Sequence, residues 1–218
     1  MLILIGLGLT EKGISLEGLE EARKADKCYL EVYTSLWKGD LEKLVGEVEV
    51  VDRKDVEEGD LVEQAKEKNI ALLIPGDPLA ATTHIELLIE AKKKGVEVCV
   101  IHASSIFSAI GETGLQLYKF GRTTTIPSDG VPKSVRDVIK MNKKLGLHTL
   151  LILDPGLPVE KALAMLNIRE KVVVAHFGEK TRIVYRRPET IKNFPEPAVI
   201  VVVGDLHFKE KEYLEMLE

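Results

Sequence analysis

The chain has 218 residues, enough for one large domain or two small ones, and a formal net charge of −5. Its 45% hydrophobic and 30% charged residues exclude a disordered or fibrous protein, and the negative charge argues against a nucleic-acid partner bound mainly through its phosphates. No apolar run approaches the roughly 20 residues of a membrane-spanning helix. Because no secretory signal is visible either, we expect a cytoplasmic protein without a membrane partner.

The first half of the chain alternates short apolar runs with helix-like segments. Strands are predicted at 2–5, 28–32, 48–51, 70–74 and 96–101, and helices at 15–25, 41–45, 61–68, 83–94 and 105–111. Runs that are apolar throughout are typical of a parallel sheet covered on both faces. The spacings of Asp60 with Glu63 and of Thr83 with Glu86 predict two helices that begin with capping boxes.

The pattern weakens after Gly111, and we place a domain boundary there, with domains at 1–112 and 113–218. The second domain is predicted to have strands at 123–126, 147–153, 172–176, 182–185 and 198–203, and helices at 133–145, 159–166 and 209–217. The closely spaced strands around Gly178 indicate an antiparallel hairpin. The predicted fold class is therefore two α/β domains, the first with a mainly parallel sheet and the second with a mixed sheet.

The first strand runs into Gly6-Leu7-Gly8, which suggests a dinucleotide site at first sight. That fingerprint needs a third glycine three positions after the second, where this chain has Glu11. A carboxylate there would repel the phosphates. Since the phosphate-loop pattern of nucleotide triphosphatases is absent too, we interpret Gly6 and Gly8 as a tight turn after a strand.

A second loop, Pro75-Gly76-Asp77-Pro78, follows the fourth predicted strand. The prolines stiffen the backbone, and the aspartate places a hydrogen-bond acceptor at the mouth of the loop. In open α/β sheets, ligands bind beyond the carboxyl ends of the strands. This loop is therefore a candidate ligand contact.

Several stretches together resemble the tetrapyrrole-methylase-like methyltransferases. Within that family, they are similar to the branch that acts in diphthamide biosynthesis. The matching stretches, in chain order, are "LILIGLGLTEKGISLEGLEEARKADKCYLEVYTS", "IPGDPLAATTH", "VIHASSIFSAIGETGLQLYKFGRTTTIP", "LGLHTLLILD" and "VVVGDLHFKEKEYLEML". The segment between Asp154 and His176 is shorter than in such relatives.

The resemblance implies a homodimer in which S-adenosylmethionine binds in a cleft between the two domains of each chain. It implies methylation of the amino group of a modified histidine on translation elongation factor 2, the protein partner. No metal is implied, and Cys28 and Cys99 lack metal-ligand spacing. The cofactor contacts that the resemblance implies are Leu9, Asp77, Ala80, Ser105, Ile106, Leu153, Phe177 and His207.

Two other functions stay open: a methyltransferase that acts on a precorrin-like tetrapyrrole, and a non-catalytic binding protein that retains the fold. A methylated amine must first lose a proton, through a base or through an apolar site that lowers its pKa. The sequence shows no His–Asp pair that stands out as a base, so it favours the apolar site, and no catalytic residue is assigned.

Overall fold

The computed structural model describes residues 1–217 and divides the chain into two compact units. The first unit is Met1–Ser108, and the second begins at Ala109, four residues before the start of the predicted second domain. Within the described residues, the search for a helix of membrane-spanning length and apolarity finds none.

The first unit contains a five-stranded sheet in the order β3-β2-β4-β1-β5, in which every neighbouring pair is parallel. This result confirms the predicted parallel α/β fold. The strands are β1 (Leu2–Gly6), β2 (Lys27–Glu31), β3 (Glu49–Val51), β4 (Ile70–Ile74) and β5 (Val98–Ile101). The helices are α1 (Leu16–Lys24), α2 (Leu41–Val45), α3 (Arg53–Glu57), α4 (Leu61–Gln64), α5 (Ile85–Lys93) and α6 (Ile106–Ala109).

Two hydrophobic cores cover the two faces of this sheet. Leu2 and Leu4 of β1 pack into one core, while Ile3 and Ile5 pack into the other. Because successive side chains of a strand point to opposite faces, β1 has to be apolar at every position. Its position between β4 and β5 places the loop that follows it between the loops of its two neighbours.

The second unit has a mixed five-stranded sheet in the order β6-β7-β10-β8-β9, as predicted. Strand β10 is antiparallel to β7 and β8, and the hairpin around Gly178 pairs β8 with β9. The strands are β6 (Thr124–Ile126), β7 (Thr149–Leu153), β8 (Val172–His176), β9 (Arg182–Arg186) and β10 (Val199–Val202). The helices are α7 (Lys133–Lys144), α8 (Val159–Leu166) and α9 (Phe208–Glu215).

The two predicted capping boxes are wrong. The Asp60 side chain accepts a hydrogen bond from the Gln64 amide group at 2.6 Å, and the Thr83 hydroxyl donates to Glu57 at 3.3 Å. Helix α5 begins at Ile85, so His84 occupies the position before its first turn. Both polar side chains bind partners other than the free N–H groups of a first helical turn. The spacing of residues in the sequence does not predict these partners.

Candidate functional site

All five strands of the first unit end at the same edge of the sheet because they are parallel. The loops that follow β1, β2, β4 and β5 therefore share the carboxyl edge, the usual place for a ligand in an open α/β sheet. The candidate site is built from these four loops, all within the first unit.

The loops after β1 and β4 are joined by backbone hydrogen bonds. Leu7 N–H donates to the Ile74 carbonyl at 2.8 Å, and Gly8 and Gly76 exchange two hydrogen bonds of 3.0 and 2.9 Å. Gly8 has a φ of +68°, and a Cβ on it would lie 2.7 Å from the Gly13 carbonyl oxygen. The two glycine-containing turns of the sequence thus form one structure.

Gly6 allows the neighbouring loops to close over the end of β1. A Cβ at this position would lie 2.7 Å from the Ala103 Cβ, 2.7 Å from the Gly76 carbonyl oxygen and 3.0 Å from the Pro78 ring. Real side chains do not approach so closely in packed interiors. Glycine at position 6 is therefore a packing requirement of the edge.

Asp77 links the loop after β4 to the loop after β5, across the end of β1. Its Oδ1 accepts from Leu79 N–H at 3.0 Å, and its Oδ2 accepts from Ala103 N–H at 3.2 Å. The same Oδ2 lies 2.8 Å from His102 Nδ1. The Asp77 side chain is 13% exposed and the His102 side chain 67% exposed. This edge therefore holds a carboxylate with three anchors beside an accessible imidazole.

No His–Asp pair stands out in the sequence, but the structure brings Asp77 and His102 into contact. Asp77 and His102 are 25 positions apart, and only the parallel pairing of β4, β1 and β5 brings them together. Because an ionised carboxylate only accepts hydrogen bonds, the contact places the proton of a neutral His102 ring on Nδ1. The Nε2 atom is then left with a free lone pair.

The buried side chain of His84 is hydrogen-bonded to the loop after β4. His84 Nδ1 lies 3.0 Å from the Pro78 carbonyl oxygen, which can only accept, so Nδ1 carries the proton. His84 Nε2 then accepts from the Tyr33 hydroxyl at 3.1 Å. Burial, together with the charge of Glu31, raises the pKa of Tyr33 to about 12, so the hydroxyl keeps its proton. These hydrogen bonds, from Tyr33 to His84 and from His84 to Pro78, connect the loop after β2 with the loop after β4.

Glu31 fixes the loop after β2. It is fully buried at the end of the strand and accepts from Tyr33 N–H and Thr34 N–H at 3.0 Å each, and the Thr34 hydroxyl also donates to it. A buried carboxylate is tolerated when hydrogen bonds satisfy it. Tyr33 is consequently held in place at its backbone as well as at its hydroxyl.

The loop after β4 contains one strained residue. Ala81 has a φ of +60°, a conformation that costs a residue with a Cβ about 1 kcal/mol or more. Nearby, the Thr82 hydroxyl donates to the Pro78 carbonyl at 2.6 Å. Such strain persists where surrounding contacts fix the backbone, and it is common in ligand-binding loops.

Four predicted cofactor contacts lie on these loops, at Leu9, Asp77, Ala80 and Ser105, and the fifth, Ile106, begins α6 directly after the loop that follows β5. Ala80 closes the turn that begins at Asp77, since its N–H donates to the Asp77 carbonyl at 3.2 Å. Ser105 is 8% exposed and sits immediately before α6. Its backbone N–H donates to the Ser108 hydroxyl at 3.1 Å, and its carbonyl accepts from the same hydroxyl at 2.9 Å. The structure brings this set to one edge.

The three predicted contacts of the second unit are divided between two edges of its sheet. Leu153 ends β7, and the buried Phe177 follows β8. His207 follows β10, which runs antiparallel to both of those strands. It therefore lies beyond the opposite edge of the sheet, and the four residues of β10, at roughly 3.3 Å each, separate the two edges by about 13 Å. Leu153 also packs against the core of this unit.

A buried carboxylate positions the turn that carries His207. Glu210 is 1% exposed and accepts from Gln116 N–H at 2.8 Å, from His207 N–H at 2.7 Å and from Lys119 Nζ at 2.5 Å. It also accepts from His148 Nε2 at 3.1 Å. Burial alone would raise the pKa of Glu210, but these hydrogen bonds outweigh it and lower the pKa to about 2.

His148 completes this network. Gly204 N–H donates to His148 Nδ1 at 2.9 Å, so the proton of the ring is on Nε2, which faces Glu210. Burial lowers the pKa of His148, which keeps the ring neutral. This network was not predicted from the sequence, although the three-residue spacing of His207 and Glu210, which forms a capping box, is a usable signal.

Comparison with known proteins decides the family. The sequence model of the tetrapyrrole (corrin/porphyrin) methylases matches residues 1–191. The chain belongs to the tetrapyrrole methylase family. A diphthine synthase of Methanocaldococcus jannaschii is 43% identical, with 100% of this chain and 98% of that protein covered. A diphthine synthase of Methanococcus maripaludis is 41% identical with the same coverage.

A solved structure gives the same relationship. A crystal structure of diphthine synthase has a TM-score of 0.93 and 35% identity, and covers 99% of this chain and 95% of its own. Membership of the tetrapyrrole methylase family, with these full-length relatives, makes the chain a methyltransferase. The alignment with the M. jannaschii relative spans 253 positions against 218 residues here, so at least 35 positions have no counterpart in this chain.

Proposed function

We propose that this methyltransferase uses S-adenosylmethionine to methylate the amino group of the modified histidine of translation elongation factor 2, within diphthamide biosynthesis. The observation that carries the proposal is the carboxyl edge of the first unit, where five residues expected to contact the cofactor lie together. The names of the full-length relatives support the choice of pathway. The family name alone points to a tetrapyrrole substrate, whereas the full-length relatives are named diphthine synthases.

The residues at the edge fit a small, polar, cationic cofactor. Asp77 supplies a negative charge that is partly exposed, and Ser105, immediately before α6, supplies a hydroxyl group. A Cβ built on Gly76 meets nothing within 4 Å, so the loop leaves open space there. When bound, S-adenosylmethionine supplies a methyl group already activated by its positive sulfur.

The chain itself has to supply alignment. Displacement at a methyl carbon needs the nucleophile in line with the departing sulfur, and correct positioning alone can supply several kcal/mol. Asp77 is anchored at both oxygens, and His84 and Glu31 hold the adjoining loops. We propose that this rigid edge, with Leu9, Ala80, Ser105 and Ile106, binds the cofactor. The cofactor contacts at Leu153, Phe177 and His207 stay predictions, because His207 lies beyond the opposite sheet edge from the other two.

Calorimetric titration with S-adenosylmethionine tests the cofactor site. We expect Asp77→Asn to weaken binding about tenfold or more, because it removes the charge and disturbs an anchor of the loop. Asp137→Asn is the matched control, since Asp137 is exposed on α7 of the other unit. The site assignment is wrong if the two variants bind equally well, and a wild-type protein without affinity for the cofactor would indicate a non-catalytic binding protein.

Transfer of a radiolabelled methyl group tests the substrate. We expect labelling of elongation factor 2 that carries the modified histidine, and none of a precorrin. Labelling of the precorrin alone would assign the tetrapyrrole reaction instead. We also propose, from the family resemblance, a cytoplasmic homodimer, which light scattering would detect as a particle of twice the 24.2 kDa chain mass.

A further inference from the structure

We propose that His102 is a catalytic residue: its Nε2 accepts the proton that the substrate ammonium must lose before each methyl transfer. This inference rests on the proposed function and replaces the apolar-site mechanism that the sequence favours. Its basis is the juxtaposition of His102 with Asp77 at the carboxyl edge of the first unit.

The geometry gives His102 the features of an oriented base. Asp77 Oδ2 lies 2.8 Å from Nδ1 and fixes both the ring and its tautomer, and Asp77 is itself held by Leu79 N–H and Ala103 N–H. The lone pair of Nε2 is therefore available for a proton. At 67% side-chain exposure, His102 can be reached by a group on another protein. A carboxylate behind the imidazole also stabilises the imidazolium that forms.

The other four histidines lack this combination. His84 and His148 are buried with both ring nitrogens hydrogen-bonded. His176 Nδ1 lies 2.8 Å from the Pro197 carbonyl oxygen, and His207 Nδ1 accepts from Lys209 N–H at 3.3 Å, so neither Nδ1 is oriented by a carboxylate. His102 joins an orienting carboxylate on Nδ1 to an accessible Nε2.

The proton leaves the substrate nitrogen before the methyl group is transferred to it. A substrate ammonium gives one proton to His102 Nε2, which becomes an imidazolium paired with Asp77. The freed nitrogen lone pair forms the new N–C bond to the methyl group, while the electrons of the C–S bond stay on sulfur as a neutral thioether. The imidazolium then returns its proton to water, and the base is ready for the next transfer.

His102→Asn tests the proposal because the asparagine amide can still donate to Asp77 but cannot accept a proton at neutral pH. We expect methylation of the modified elongation factor to fall about 100-fold or more at pH 7. The residual rate should rise about tenfold per pH unit as free amine forms in solution, a slope that the wild type does not show near neutrality. Affinity for S-adenosylmethionine, measured by calorimetry, should change less than about threefold.

A measurement that does not depend on turnover uses diethyl pyrocarbonate, which modifies accessible neutral imidazoles. Mass spectrometry should show His102 modified in the free protein and protected when unmethylated elongation factor 2 is bound without the methyl donor. His84, which is buried, should be unmodified throughout and serves as the internal reference.

The results separate the two proposals. An active wild type with a His102→Asn variant of unchanged rate and pH profile would overturn the role of His102 and leave the proposed function intact. Absence of protection by the bound factor would also overturn it, since the acceptor nitrogen would then not approach His102. A wild type that labels only another substrate refutes the proposed function and, with it, this inference.

Discussion

Replacing Glu210 with glutamine tests whether a buried charge holds the turn before α9. Four donors converge on this carboxylate, from Gln116, Lys119, His148 and His207. The folded protein lowers the pKa of Glu210 from 4.5 to about 2, which corresponds to about 3 kcal/mol of stabilisation at neutral pH. Because the side chain is 1% exposed, solvent screens little of this energy. We expect Glu210→Gln to lower the free energy of unfolding by about 3 kcal/mol.

The same shift predicts a pH dependence of definite sign. A carboxyl group whose pKa is lower in the folded than in the unfolded state stabilises the fold above the unfolded pKa. That stabilisation is lost as the pH falls from about 4.5 towards 2. Between these pH values the wild type should therefore lose about 3 kcal/mol more than Glu210→Gln does, and the two proteins should converge in stability.

The assay has to report on the second unit. The chain has one tryptophan, Trp37, which lies in the first unit, so its fluorescence would miss the effect. Hydrogen exchange at strand amides such as Leu151 and Val201 reports on the affected sheet. Glu212→Gln is the matched control on the same helix, since its ion pair with Lys209 is more than half exposed and should contribute less than about 0.5 kcal/mol.

Two outcomes would refute the reasoning. A loss below about 1 kcal/mol for Glu210→Gln would mean that the hydrogen bonds do not depend on the charge. An acid dependence equal to that of the wild type would mean that other carboxyl groups cause the loss of stability at low pH.

Three further changes test the carboxyl edge of the first unit, each by urea unfolding followed by tryptophan fluorescence. Gly6→Ala should lower the free energy of unfolding by about 2 kcal/mol, because the new Cβ would lie 2.7 Å from the Ala103 Cβ. A decrease below about 0.5 kcal/mol would contradict the packing argument. Tyr33→Phe should lower the free energy of unfolding by about 1 kcal/mol, since His84 loses its donor, and should weaken cofactor binding. If neither the stability nor the affinity changes, Tyr33 does not support the site. Ala81→Gly should stabilise by up to about 1 kcal/mol by relieving the positive φ, and destabilisation would argue against strain there.

The strands of the first unit could be predicted because the apolar pattern that indicates each strand lies within that strand. A strand buried on both faces must be apolar at every position, and β1 and β4 are buried throughout. Helix α3 was missed because Val56 is the one apolar residue among its five, so it shows no apolar periodicity. Its capping box of Asp52 and Asp55 was nevertheless present in the sequence, at the same spacing as the two boxes that do not form.

The chemical partners of the site were not predictable, for a different reason. Asp77 and His102 meet because β4 and β5 both pair with β1, so the contact depends on the order of strands in the sheet. Tyr33 and His84 are 51 positions apart and meet for a similar reason. The residue types at these positions suggested turn and strand ends, whereas their roles depend on topology.

The structure gives the physical reason why the Gly-x-Gly turn after β1 is not a pyrophosphate site. A pyrophosphate site at a Gly-x-Gly turn uses free backbone N–H groups that point at the phosphate oxygens. Here Leu7 N–H is bonded to Ile74 and Gly8 N–H to Gly76, so two amides of the turn are already satisfied by β4 and the loop that follows it. The glycines allow the loops after β1 and β4 to contact each other. A third glycine, at position 11, would add no N–H donor for a phosphate. The same bonds that exclude a pyrophosphate at this turn fix the position of Asp77.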